Sequence, residues 1–262
     1  MGFLDRIKEL ASGGWNGTAG RPPSGNGASS FHLNWSAPAG PWVVAESTIE
    51  IVTPPDVDKL FFWAMQVSFD RQGRHGGAGH IGLQWHPQHP GRTAVNWGGY
   101  GPSGSELKGS QSALPSRTGN VNTRDYRWSP GRPYRLRVSR SPEPGPGGRL
   151  GWRGEVIDVD EEVVTVVRDL WAEGTTLASP VVWSEVFADC DDPTVIVRWS
   201  DLRLTDEAGR TATVDEVRVN YQSLGDGGCA TTDSRVAEGT AAFEQRTGVE
   251  RVTRQGSTLR IG

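Results

Sequence analysis

The chain is short of the residues that usually advertise a metal centre, a basic binding surface or a membrane. Cysteine occurs twice, at Cys190 and Cys229, too few for a four-cysteine zinc site. The pair can form one disulfide or stand as two buried thiols. Lysine is confined to Lys8, Lys59 and Lys108, and 27 basic residues face 31 acidic ones, for a formal charge of −4. That balance draws the chain neither to nucleic acid nor to an acidic membrane surface. No apolar run approaches the ~18 residues of a membrane span. No fixed-period repeat supports a propeller or β-helix, and no Gly-X-Y period supports collagen.

What is abundant points one way. Of 262 residues, Gly 35 and Pro 17 make up about one in five, too many for a helical bundle or coiled coil. The Trp count of 11, with many β-branched residues, excludes a fully disordered chain. From Phe31 onward apolar residues recur with a period of two. The stretch 59–69 is apolar on both faces for much of its length, as a central strand is. Residues 79–86 and 93–100 alternate cleanly around the turn Pro87-Gln88-His89-Pro90-Gly91-Arg92, a hairpin pattern. Roughly twelve strands at spacings of about 10–15 residues predict an all-β, two-sheet antiparallel jelly-roll sandwich.

Two regions precede and interrupt that pattern. Residues 1–30 read as a short amphipathic helix, with Phe3, Leu4, Ile7 and Leu10 on one face, followed by a Gly/Ser/Pro linker; residues 31–262 read as one sandwich domain. The first ten residues lack the apolar core of a signal peptide. The default expectation is therefore the cytoplasm, with residues 1–10 as a contact for a protein partner. Residues 101–124 form a Gly/Ser/Thr/Asn-rich excursion, long enough to suggest function or mobility.

Strand alternation groups the polar candidates. His80, Gln84 and His86 share one side of their strand, Asn96 and Tyr100 one side of the next, and Gln66 and Ser68 one side of the long strand. Small residues Gly82, Gly98 and Gly99 let a ligand approach. Amides, imidazoles and a tyrosine in fixed directions suit sugar hydroxyls. The same alternation sends Trp63, Trp85, Trp97, Trp183 and Trp199 to the core and leaves Trp15, Trp35, Trp42, Trp128 and Trp152 as candidate exposed platforms. Glu185, between aromatics in Trp183-Ser184-Glu185-Val186-Phe187, is the strongest lone carboxylate. The run Glu155, Asp158, Asp160, Glu161 and Glu162 reads as a solvated hairpin turn. Asp189, Asp191 and Asp192 form an acidic turn with calcium-ligand chemistry as its alternative. His86 and His89 are broken apart by prolines, so no metal or cofactor is expected. The arginines from Arg117 to Arg153 read as a solvent face.

Several segments resemble a bacterial family of concanavalin-like jelly-roll proteins, catalogued as a domain of unknown function. They are Phe62-Trp63-Ala64-Met65-Gln66-Val67-Ser68-Phe69, Gly79-His80-Ile81-Gly82-Leu83-Gln84, residues 183–190, residues 197–202, and Val219-Asn220-Tyr221-Gln222 with Gly227-Gly228-Cys229. The resemblance implies a lectin/glucanase-type sandwich and no catalytic residues. Similar proteins look secreted, where Cys190 and Cys229 can pair. The leading expectation is a non-catalytic, lectin-like sandwich binding a glycan through Gln66, Ser68, His80, Gln84, His86, Asn96, Tyr100 and Glu185. The alternatives are a glycoside hydrolase or lyase using Glu185, which requires a second carboxylate within about 10 Å facing the same cleft, and a structural or interaction module tethered by its N-terminal helix.

Overall fold

A computed structural model describes residues 15–262. The helix expected within residues 1–10 lies outside the described residues. Sixteen strands follow: β1 (Ser29–Trp35), β2 (Trp42–Thr53), β3 (Phe61–Arg71), β4 (Arg74–Trp85), β5 (Thr93–Tyr100), β6 (Thr123–Asp125), β7 (Pro133–Arg140) and β8 (Leu150–Asp158) make the first half. The second half is β9 (Val163–Ala172), β10 (Thr176–Val186), β11 (Ile196–Asp206), β12 (Thr211–Thr213), β13 (Glu216–Tyr221), β14 (Thr232–Val236), β15 (Phe243–Thr247) and β16 (Thr258–Arg260).

The expected antiparallel sandwich is present. One sheet runs β16-β13-β1-β10-β3-β4-β5-β6. The other runs β14-β15-β11-β2-β7-β8-β9, with β12 beside β11. A single register pair, Leu177 with Trp42, joins them where β10 meets β2. The predicted hairpin is β4–β5, with Ile81 opposite Trp97.

Alternation explains the core. On β3 the inward set is Phe61, Trp63, Met65, Val67 and Phe69, all nearly solvent-free. Trp97 of β5 and Trp152 of β8 meet between the sheets, the Trp97 indole N–H donating to the Trp152 carbonyl at 3.2 Å. Trp152 also stacks on Phe69 at 5.3 Å. Trp152 and Trp128, expected as platforms, are thus interior, and Trp35 is buried as well. Gly154 exists for this packing: a Cβ there would stand 2.5 Å from Trp97 Cγ. Gly154→Ala should therefore lower stability by about 1–3 kcal/mol through overpacking, read as a lower denaturant midpoint at unchanged slope. An unchanged midpoint would contradict this account of the Trp97 seat.

Two expectations need correction. From Trp15 onward the supposed linker is packed on the body rather than hanging free. Cys190 N–H donates to the Gly20 carbonyl at 2.9 Å, and Gly20 N–H donates to Asp191 Oδ1 at 2.8 Å. Glycine content reflects tight turns here, as at Gly17 (φ 72°), whose Cβ would collide with Leu224. The 101–124 excursion is also pinned, since Trp171 N–H donates to the Lys108 carbonyl and Ser110 N–H to that of Asp169. The arginine face and the acidic turn largely answer each other or nearby carboxylates: Arg132 pairs with Asp158 and Glu161, Arg137 with Glu46 and Glu155, and Arg153 with Asp169. Cys190 and Cys229 form a disulfide.

A groove on the outer face of the first sheet

Register decides which side chains share the outer face of the sheet carrying β10, β3 and β4. One cross-strand row reads Ser30, Glu185, Phe62, Gln84. The next reads His32, Trp183, Ala64, Gly82, Asn96, and the one beyond it Asn34, Val181, Gln66, His80, Gly98. Glu185 and the Gln66–His80 pair stand four residues apart along the strands, about 13 Å at the backbone. Between them lies a groove of about 370 Å³. Trp183 and Phe62 line it with Ala78. Gln66, His80 and Tyr100 close one end, and Glu185, Asn26, Ser30 and His32 the other.

Glu185 is the sole carboxylate among the described lining residues, which include no lysine or arginine. Burial raises its pKa above the ordinary 4.5; the Asn26 amide, donating from Nδ2 to Oε1 at 2.9 Å, offsets part of that rise. Burial lowers the pKa of His80 to about 4. It also lowers that of His32, against a backbone hydrogen bond to Asn220 that acts the other way. Around neutrality both imidazoles are therefore uncharged hydrogen-bonding groups. The groove presents one unusually basic carboxylate, amides and neutral rings.

Four of the eight residues named from sequence meet here: Gln66, His80, Tyr100 and Glu185. Ser68 lies on the same face one row further along, outside the groove lining. Gln84 and Asn96 share the face but are buried, where a solvated surface was expected. Asn96 Nδ2 donates to Thr123 Oγ1 of the edge strand β6 at 2.9 Å. His86 leaves the face altogether, because β4 ends at Trp85; its ring packs against that of His89 at 4.6 Å, and His89 bonds Asp125 at 2.6 Å. Among the described residues no three His, Cys, Asp or Glu converge as metal ligands. Asp191 and Asp192 accept backbone amides instead.

Sequence reasoning missed Asn26, His32, Phe62 and Trp183. Trp183 had been assigned to the core and is buried, but two residues from Glu185 on one strand it shares that residue's outer face, in a small cluster with Phe62, Ala64 and Val181. Asn26 was hidden by the linker-like composition around it.

No family model matches the chain, and no curated protein does. Among solved structures it is similar to scytalido-glutamic peptidase bound to a peptide-based transition state analog, at 9% identity over 87% of this chain and 98% of that one, with TM-score 0.45. It is also similar to SCP-B, a member of the eqolisin family of peptidases in complex with the tripeptide Ala-Ile-His, at 10% identity over 87% and 98%, TM-score 0.40. A third is alginate lyase Aly36B, at 11% identity over 94% and 88%, TM-score 0.26. At these values the likeness is to an all-β outline and no further. The groove itself encloses a carboxyl of raised basicity, and half of the proposed sugar-binding residues lie outside it. The expectation of a non-catalytic lectin is corrected accordingly; of the enzymatic alternative, Glu185 is in the groove, and the second carboxylate expected beside it is not among the described lining residues.

Proposed function

We propose that the chain is a hydrolase of uncharged acyl linkages, peptide bonds foremost, with Glu185 as its general base. The observation that carries this is the solitary Glu185 carboxyl, desolvated and raised in pKa, facing a groove otherwise lined by neutral groups. Glycoside hydrolysis ordinarily uses two carboxyls about 5–10 Å apart, and the described lining supplies one. Elimination from a uronate polymer brings many negative charges, and the lining offers no cation to meet them. Acyl hydrolysis asks for less: a base for the attacking water and N–H donors for the oxyanion. Glu185 takes the water's proton as the water adds to the carbonyl. It then returns that proton to the leaving nitrogen as the carbon–nitrogen bond breaks. At the Glu185 end of the groove the side-chain N–H groups are those of Asn26 and the neutral His32, whereas Gln66 and His80 stand about 13 Å off at the backbone.

The pH dependence has a definite sign. The base must be ionised, so kcat/KM rises with pH through the Glu185 pKa, with a midpoint above the ordinary 4.5 because burial favours the protonated form. The measurement is cleavage of a mixed peptide library by mass spectrometry across acid and neutral pH. Absence of peptide cleavage at every pH would overturn the reading. Unsaturated sugar ends released from a uronate polymer would instead favour elimination, with His80 and Tyr100 as its acid–base groups.

A further inference from the structure

Two rings between the ends of the groove, Phe62 and Trp183, have no role in the chemistry just described, and His80 at one end packs against both. Phe62 and Trp183 meet edge to face at 4.9 Å, Phe62 and His80 at 5.7 Å, and Trp183 and His80 at 5.9 Å. All three line the groove. The row that carries Trp183 continues into Ala64 and Gly82, and Ala64 is buried in one small apolar cluster with Phe62, Val181 and Trp183. At Gly82 a Cβ would stand 2.0 Å from the Trp63 carbonyl oxygen, so the strands beneath these rings pack too closely for a larger residue. Trp183 sits two residues from Glu185 on the same face, about 7 Å away along the strand. That is also the spacing of same-side residues in an extended peptide.

We infer that Trp183, Phe62 and His80 form a subsite for one large, uncharged, apolar side chain of the substrate, seated beside the bond that Glu185 attacks. The inference rests on the acyl-hydrolase reading for what is cut, but not for what is bound. An aromatic or long aliphatic side chain buries its surface against the parts of Phe62 and Trp183 left open to the groove, the two rings being 6% and 7% exposed. A charged one is left without a counter-ion, since the described lining offers no lysine or arginine and its one carboxylate is Glu185.

The test separates binding from turnover. N-acetyl-phenylalaninamide, N-acetyl-glycinamide and the amide of N-acetylglutamate are titrated into the intact protein, and the indole N–H resonance of Trp183 is followed by NMR, assigned through Trp183→Phe. The phenylalanine probe should bind at least about tenfold tighter than the glycine probe, and the glutamate probe no tighter than glycine at neutral pH. Phe62→Trp fills the subsite and should weaken the phenylalanine probe about tenfold; if it fails to fold, Phe62→Leu should instead shift preference towards larger side chains. Equal affinity for all three probes, or no response to either Phe62 variant, overturns the subsite. Selective binding without peptide cleavage overturns only the hydrolase reading. Cleavage with no side-chain preference overturns only the subsite.

Discussion

Glu185→Gln should lower peptide-bond cleavage by about 10²–10⁴-fold, the usual worth of a positioned general base, while making the folded protein more stable at neutral pH. The two effects have one cause. Burial raises the folded-state pKa of Glu185, so the folded state holds that proton more tightly than the unfolded chain does. Stability from this group is present below the unfolded value of about 4.5. It is lost as pH rises through the folded value. At pH 7 the wild type carries that loss in full, and a neutral glutamine does not. The substituted amide can still face the Asn26 side chain, so packing is little disturbed. Melting curves at pH 7 and pH 4 should therefore diverge for the wild type and the variant at pH 7 and draw together at pH 4. A variant that retains full activity would exclude Glu185 as the base. One that is inactive and also less stable at both pH values would make its role structural.

Reduction of the Cys190–Cys229 disulfide should cost roughly 4 kcal/mol, the loop-closure entropy for a separation of 39 residues. In a chain of this size that corresponds to a fall in Tm on the order of 10 °C. The bond does more than shorten the unfolded chain. Cys190 N–H holds Gly20, Cys190 O accepts from Thr231 Oγ1 at 2.5 Å, and Cys229 N–H donates to Ser29 Oγ at 2.8 Å. Those contacts anchor both ends of residues 20–29, the segment that delivers Asn26 to Glu185. Calorimetry of the Cys190→Ser/Cys229→Ser double variant, beside the wild type with and without reductant, checks the figure. An unchanged Tm would mean that the hydrogen bonds around the cysteines suffice without the covalent link.

The sandwich was legible in the sequence because its evidence is local. Period-two alternation in residues 59–69, 79–86 and 93–100 needs no knowledge of partners, and all three are strands where expected. The groove was only half legible, because it depends on which strands lie side by side. Gln66 and His80 could be placed on one face, and they are register partners. That β10 lies against β3 and brings Glu185 opposite Phe62 is a fact about residues far apart in the chain. Trp183 is buried as expected, but on the outer face in a small cluster with Phe62, Ala64 and Val181; alternation applied from Glu185 would have placed it on that face. The period of two was read from Phe31, two residues inside the strand Ser29–Trp35, because Ser29 and Ser30 are polar and follow a glycine-rich stretch. Gln84 and Asn96 are exceptions to the rule that polar strand faces are wet, since neighbouring chain covers them.

The place of β1 in the sheet has a consequence for how the molecule is made. It is the first strand in the chain, yet its partners are β10 and β13, and the Asn26–Glu185 hydrogen bond spans 159 residues. During synthesis β1 emerges long before either neighbour exists, and it must wait unpaired until the last third of the chain has left the ribosome. The groove closes only then, since one end of it is built from residues 26–32 against residues 183–185. An incomplete chain is therefore without an active site. On the proposed peptide-hydrolase reading the protein is born inert, and acquires its activity only when β10 and β13 lock β1 into place.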